Sequence, residues 1–171
     1  MAGESFCSLP VNGCPCGYYG ATHRSCRCSS QQIRQYQGRI SGPLLDRIDL
    51  HIEVPALRYR ELTGRYQGEA SEIIRARIGG ARTIQQERFG ARVAPFNARM
   101  SDGEIDRYCE IDREARRLLE MAMEKLGLSA RAYKRILKVS RTIADLDGRP
   151  SILSSHVAEA IQYRSLDRKL V

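Results

Sequence analysis

From Glu69 onward, apolar residues return every three or four positions, and that period commits most of this 171-residue chain to helices packed on one another. Residues 69–89 turn Ile73, Ile74, Ile78, Ala81 and Ile84 to one side, although Gly79-Gly80 weakens the middle and Arg77 and Arg88 fall inside the apolar sector. A loop holding Pro95 follows, and Ser101-Asp102-Gly103-Glu104 has the form of a capping box that opens a short helix. Asp112 to Leu126 gathers Ala115, Leu118, Leu119 and Met123 on one face, and Gly127 stops it. Ser154-Ser155 caps a last helix carrying Val157, Ala160 and Ile161. The expectation over residues 69–171 is a bundle of four or five helices.

Ser129 to about Leu146 is the most polarised segment. Tyr133, Ile136, Leu137, Val139, Ile143 and Ala144 line one side, while Arg131, Lys134, Arg135, Lys138 and Arg141 line the other. Two readings of this stripe stand side by side. One is a solvated outer face on a packed helix; the other is a surface that meets nucleic acid or nucleotide phosphate.

Residues 1–58 read differently. The first thirty are rich in Gly, Ser, Pro and Cys and cannot form a regular helix. Ser30 to Arg39 reads as a short helix capped by Ser29 or Ser30, and Ser41-Gly42-Pro43 breaks it and opens another turn. Leu50, Ile52 and Val54 alternate with His51 and Glu53, the period of a half-buried strand, which Pro55 ends. These features resemble the tail of an α/β unit, joined to the helical region by a linker over 59–68.

Charge narrows the function. Lys and Arg total 28 against 20 Asp and Glu, a formal net charge of +8, and 24 of the cations are Arg. The guanidinium fork grips phosphate or carboxylate in fixed geometry, so the bias favours anionic partners. No apolar run reaches the roughly 18 residues of a membrane span, and the first residues lack a basic segment followed by an apolar one, so the chain reads as cytoplasmic with no membrane partner. There is no G-x-x-x-x-G-K-[ST] phosphate loop and no G-x-G-x-x-G fingerprint. Nor does any grouping of nucleophile, base and orienting residue stand out, which makes an independent enzyme improbable.

Cys14, Cys16, Cys26 and Cys28 form C-x-C-x9-C-x-C, a set that suits a tetrahedral thiolate site for zinc; reduced free thiols are the alternative. His23 lies in the same loop as another ligand choice. Cys7 and Cys109 have no partners in sequence, and Cys109 reads as a core residue.

Asn12-Gly13-Cys14-Pro15-Cys16-Gly17-Tyr18-Tyr19-Gly20, the Cys26-Arg27-Cys28 pair, and Ile40-Ser41-Gly42-Pro43-Leu44-Leu45-Asp46-Arg47-Ile48-Asp49-Leu50 together resemble the magnesium-chelatase-like AAA+ ATPases of the ComM and YifB type. Leu128-Ser129-Ala130-Arg131-Ala132-Tyr133, running into Arg141-Thr142-Ile143-Ala144-Asp145-Leu146, extends the resemblance. It spans nearly the whole chain but only the C-terminal third of such a protein. It implies the end of an AAA+ core over 1–58 and the C-terminal helical lid over 69–171, within an ATP-driven hexameric ring that uses ATP and Mg2+. Members linked to competence are helicase-like motors that extend branch migration on DNA during recombination.

The resemblance also implies roles. Arg47 falls at the arginine finger that reaches the neighbouring subunit's ATP, the other reading being a local ion pair with Asp46 or Asp49. Arg131 falls at the lid's sensor-2 arginine, against the alternative of an ordinary surface residue. Asn12 falls at the sensor-1 position, with Gly13 standing where the family usually has Pro. A second hypothesis is a stand-alone basic, zinc-containing helical module that binds nucleic acid through the 131–141 stripe. It is distinguished by salt-sensitive DNA binding of the chain alone.

Overall fold

The computed structural model describes residues 8–21, 24–54 and 68–164. Cys7, His23 and all of the expected linker except Gly68 lie outside the described residues.

Two short helices precede the bundle. Helix α1 spans Ser30–Gln37, with Ser29 as its N-cap. Ser29 Oγ accepts from the Gln32 N–H at 3.3 Å while Gln32 Oε1 accepts from the Ser29 N–H at 2.9 Å, a reciprocal box that satisfies two otherwise orphaned donors. Helix α2 is one turn, Gly42–Leu45, opened by Pro43 in its first positions and anchored by buried Leu45.

The bundle holds α3 Ser71–Phe89, a 3-10 turn Asn97–Arg99, α4 Asp102–Tyr108, α5 Arg113–Leu126, α6 Ala130–Leu146 and α7 Ser154–Gln162. These helices start and stop within two residues of their expected spans, and the Ser101–Glu104 box opens α4. Asp112 Oδ1 accepts from the Ala115 N–H at 2.8 Å, and Ser129 Oγ from the Ala132 N–H at 3.2 Å. Gly127 ends α5 at φ 60°, a left-handed conformation that costs a glycine little and lets the Leu128 N–H reach back to the Met123 carbonyl at 3.1 Å. Helix α6 lies at the centre, packed against α3, the 3-10 turn, α4 and α7, while α5 packs on α7. Ile105, Leu119, Ile136, Ala144 and Val157 fill the shared core, which Ile111 and Ile152 join through a single parallel bridge.

Three expectations change. Leu50 to Val54 is extended but forms no strand, since β-pairing among the described residues is confined to the Ile111–Ile152 bridge. An alternating segment needs a neighbour to become a strand. Here its backbone attaches to the bundle through the His51 N–H, which donates to the Tyr163 carbonyl at 2.7 Å. The expected apolar face is not buried either: Ile52 is 67% and Val54 86% exposed, while His51 alone of residues 50–54 is buried, at 5%.

In α3 the apolar side splits. Ala81 is buried and Phe89 packs on the core, but Ile73 is 57% exposed and Ile74 and Ile78 are exposed with it. The first turns of this helix are therefore exposed along both faces. Lastly, α7 is capped by neither serine. Leu153 is its N-cap, and His156 Nδ1 accepts from the Leu153 N–H at 3.0 Å.

Candidate functional site

Arg47 sits in the turn that continues α2. Its N–H donates to the Leu44 carbonyl at 3.0 Å, and the next N–H, of Ile48, donates to the Leu45 carbonyl at 3.0 Å, so the turn rests on buried Leu45. The Arg47 side chain is exposed. Its flanks are held from the bundle. Buried Arg164, just after α7, donates through Nη1 to the Ile48 carbonyl, and its Nη2 lies 4.0 Å from Asp46 Oδ1. The Asp49 carboxylate pairs with Arg135 of α6. Asp46 and Asp49, the local partners weighed for Arg47, thus face other arginines, and among the described residues Arg47 has no ion-pair partner.

Arg131 lies in the first turn of α6 and is exposed. Arg131 and Arg135 are four residues apart on one helix, which places their Cβ atoms about 5–6 Å apart on a common face. Arg135 pairs with Asp49, two residues after Arg47, so one contact links α6 to the segment that carries Arg47. Asn12 is exposed, and residues 8–12 are not in a strand. Asn12, Arg47 and Arg131 make no hydrogen bond or ion pair with one another.

The cationic stripe of α6 is less free than its sequence suggests. Lys134 Nζ lies 2.7 Å from Asp102 Oδ2, Arg135 is paired with Asp49, and Lys138 Nζ donates to the Ala98 carbonyl at 3.0 Å. Burial, and then the neighbouring Arg135, hold the Lys138 ammonium below its ordinary pKa. Arg141 leaves the stripe altogether, being 2% exposed. The face stays basic, but each of these four cations already serves the fold.

Arg141 belongs to a buried hub that sequence reasoning missed. Asp145 accepts from Arg88 Nη1 at 2.7 Å and Nη2 at 2.6 Å, from Arg141 Nε at 3.0 Å and from Asn97 Nδ2 at 2.7 Å. Arg141 also donates to the Pro150 carbonyl at 2.8 Å and the Arg149 carbonyl at 2.5 Å. Desolvation lowers the Arg141 pKa, opposed by the Asp145 carboxylate. The hub ties α3, the 3-10 turn and α6 together, and it explains why Arg88 sits in an apolar sector. The i, i+4 spacing of Arg141 and Asp145 was the available signal.

The cysteine loop is the other chemical feature. The four Sγ atoms of Cys14, Cys16, Cys26 and Cys28 all lie within 4.8 Å of one another. Cys14 to Cys16 is 3.4 Å, and Cys26 is 3.6 Å from both Cys16 and Cys14. All four are unbonded thiols, and Cys14 is fully buried. The Cys16 thiol falls to about 6, chiefly because the backbone groups of Tyr18 and Arg27 hydrogen-bond its sulfur. Cys109 is, as expected, a core residue, and burial pushes its thiol up to about 11. No helix among the described residues is long and apolar enough to cross a membrane.

Residues 68–164 match the sequence model of the family described as magnesium chelatase, subunit ChlI C-terminal, and residues 5–62 match that of magnesium chelatase, subunit ChlI. The chain is 48% identical over 162 residues to Competence protein ComM of Haemophilus influenzae, an alignment covering 94% of this chain and 30% of that protein. It is 39% identical over 162 residues to Uncharacterized protein YifB of Escherichia coli, covering 94% of this chain and 31% of the relative. Uncharacterized protein Rv2897c of Mycobacterium tuberculosis is 33% identical over 156 residues, covering 91% and 30% respectively. The chain thus spans about a third of the length of these relatives.

Proposed function

Since the chain belongs to the magnesium-chelatase-like family of the ComM and YifB type, we propose that it is the C-terminal part of an AAA+ ring motor driven by ATP and Mg2+. In this reading Arg47 acts as an arginine finger on the neighbouring subunit's nucleotide, and Arg131 senses nucleotide from the helical lid. Asn12 orients the attacking water. The phosphate loop and the Mg2+ ligands belong to the core of the same or neighbouring subunits in a hexameric ring, so the chain alone does not hydrolyse ATP.

The observation that carries this reading is the state of Arg47: an exposed guanidinium on a turn whose flanking groups, Asp46, the Ile48 carbonyl and Asp49, are held by arginines of the bundle. Phosphoryl transfer spreads charge over the γ-phosphate oxygens in its transition state, and a preplaced guanidinium stabilises that charge by about 10³–10⁵ in rate in other systems. A finger is effective only when rigid, because small misplacements cost orders of magnitude. Arg131 beside the N-terminus of α6 adds a second cation, and the helix end contributes its own positive potential. Both exposed guanidiniums suit phosphate oxygens.

The substrate we assign is DNA, with a competence- or recombination-type, branch-migrating helicase activity. That assignment rests on the family and on the name of the Haemophilus relative.

The test is ATP hydrolysis by the phosphate-loop-containing N-terminal part of a relative, with and without this chain. Stimulation by the unaltered chain that is lost with Arg47→Ala or Arg131→Ala supports the roles given. A physical complex whose hydrolysis does not rise overturns them.

A further inference from the structure

We propose that Cys14, Cys16, Cys26 and Cys28 bind one zinc ion as a tetrahedral tetrathiolate, a structural site that fastens the loop after Asn12 to the start of α1. The geometry is the first ground. Zinc–sulfur bonds of about 2.3 Å in a tetrahedron set sulfur–sulfur edges near 3.8 Å. The observed separations of 3.4 and 3.6 Å, with all four sulfurs inside 4.8 Å, match a single ion. They leave no room for a multi-iron cluster, whose ligands must surround several metal atoms. They are also far longer than the roughly 2.05 Å of a disulfide, and a reduced cluster keeps all four donors available.

The second ground is what else holds the loop. The shared hydrophobic core lies entirely between Phe89 and Tyr163, so Cys14 is fully buried without belonging to it. Its other contacts are mostly polar, among them the Gly17 N–H to the Cys14 carbonyl at 3.1 Å, the Ala21 N–H to the Tyr18 carbonyl at 3.1 Å, Gln37 Nε2 to the Gly13 carbonyl at 3.1 Å, and Arg24, which donates to the Tyr18 hydroxyl at 2.9 Å and lies over its ring. Exposed hydrogen bonds of this kind contribute little net stability each. Four thiolates on a soft-accepting divalent ion contribute far more, because the site exists only in the folded loop and its binding energy becomes folding energy.

The third ground is position. Cys28 directly precedes Ser29, the N-cap of α1, and Cys14 lies two residues after Asn12. One ion therefore ties the Asn12 segment to the helix that leads into the Arg47 turn. The metal site itself does not depend on the motor reading and stands or falls separately.

The experiment is elemental analysis of the full 171-residue chain, purified without chelator, followed by thiol titration and exchange of the native metal for cobalt. The expected result is one equivalent of zinc per chain. It is released as the thiols are modified, and the cobalt form shows the intense visible absorption of a tetrahedral tetrathiolate. Cys14→Ser and Cys26→Ser should each abolish stoichiometric binding while circular dichroism of the helical bundle persists, and Cys109→Ser should leave the metal in place. Because the unaltered chain is assayed first, misfolding of a variant cannot hide the answer. Substoichiometric metal with four freely reactive thiols in the loop overturns the proposal. So does iron at one equivalent, or zinc that survives Cys14→Ser and Cys26→Ser together.

Discussion

Arg164 donates to the carbonyl oxygen of Ile48, the residue after Arg47, across 116 positions of sequence. Its second terminal nitrogen approaches Asp46 on the other side of Arg47 at 4.0 Å. A side chain at the end of the bundle therefore fixes the turn that presents the exposed guanidinium. Lys cannot reproduce that fork, since it offers one point charge in place of divergent donors. Arg164→Lys in the intact motor should lower kcat for ATP hydrolysis by about tenfold or more with little change in KM. Equal losses in kcat and affinity, or none, would show that Arg164 merely fills space.

The Asp145 hub should dominate the stability of the bundle. Asp145 is 1% exposed and accepts from Arg88, Arg141 and Asn97, so Asp145→Ala strands two poorly solvated guanidiniums. Breaking a buried pair of this kind costs about 3–5 kcal/mol. Urea denaturation followed by circular dichroism should report that loss, and a change under about 1 kcal/mol would refute the assignment.

Helix ends and helix faces were legible because they depend on neighbours in sequence. Ser29 caps α1 as expected, the Ser101–Glu104 box forms, and α5 and α6 begin directly after Asp112 and Ser129, where their apolar periods start. What depended on distant residues was not legible. The partner of Arg88 is Asp145, 57 positions away, and the partner of Arg135 is Asp49, 86 positions away. Arg141 read as one of five stripe cations because a helical wheel cannot show which cation turns inward to meet a buried acid. Alternation at Leu50, Ile52 and Val54 correctly marked an extended segment, but a strand also needs a partner, and none stands beside it among the described residues. The cysteines were legible as a set from spacing alone, and the fold brings all four together.

The capping box at α4 gives the bundle an acid-sensitive element. The Ser101 backbone N–H, followed by its hydroxyl and then Arg92, holds the Glu104 carboxyl below its ordinary pKa of 4.5. A carboxyl depressed in the folded state stabilises above the unfolded pKa, and that contribution fades as pH falls through the lower folded value. Stability measured downward from pH 5 should therefore fall more steeply for the unaltered chain than for Glu104→Gln. Identical slopes would remove Glu104 as the cause.

Arg135 separates motor from binding module. It pairs with Asp49 beside the Arg47 turn, so Arg135→Ala should lower ATP turnover of the intact motor while DNA affinity near physiological salt stays within about twofold. A uniform fall in DNA affinity, with the salt slope reduced by about one, would instead make Arg135 a phosphate contact.

The most direct test of the central claim uses mixed rings of the full-length protein that contains this region. Subunits with Arg47→Ala keep an intact phosphate loop; subunits with the phosphate-loop lysine replaced keep Arg47. Each kind alone should be inactive. If Arg47 serves the neighbouring subunit's ATP, mixing the two should restore hydrolysis, rising and then falling with the mixing ratio. Hydrolysis that stays at background in rings shown to contain both subunits, or full activity of the Arg47→Ala protein by itself, would contradict the account.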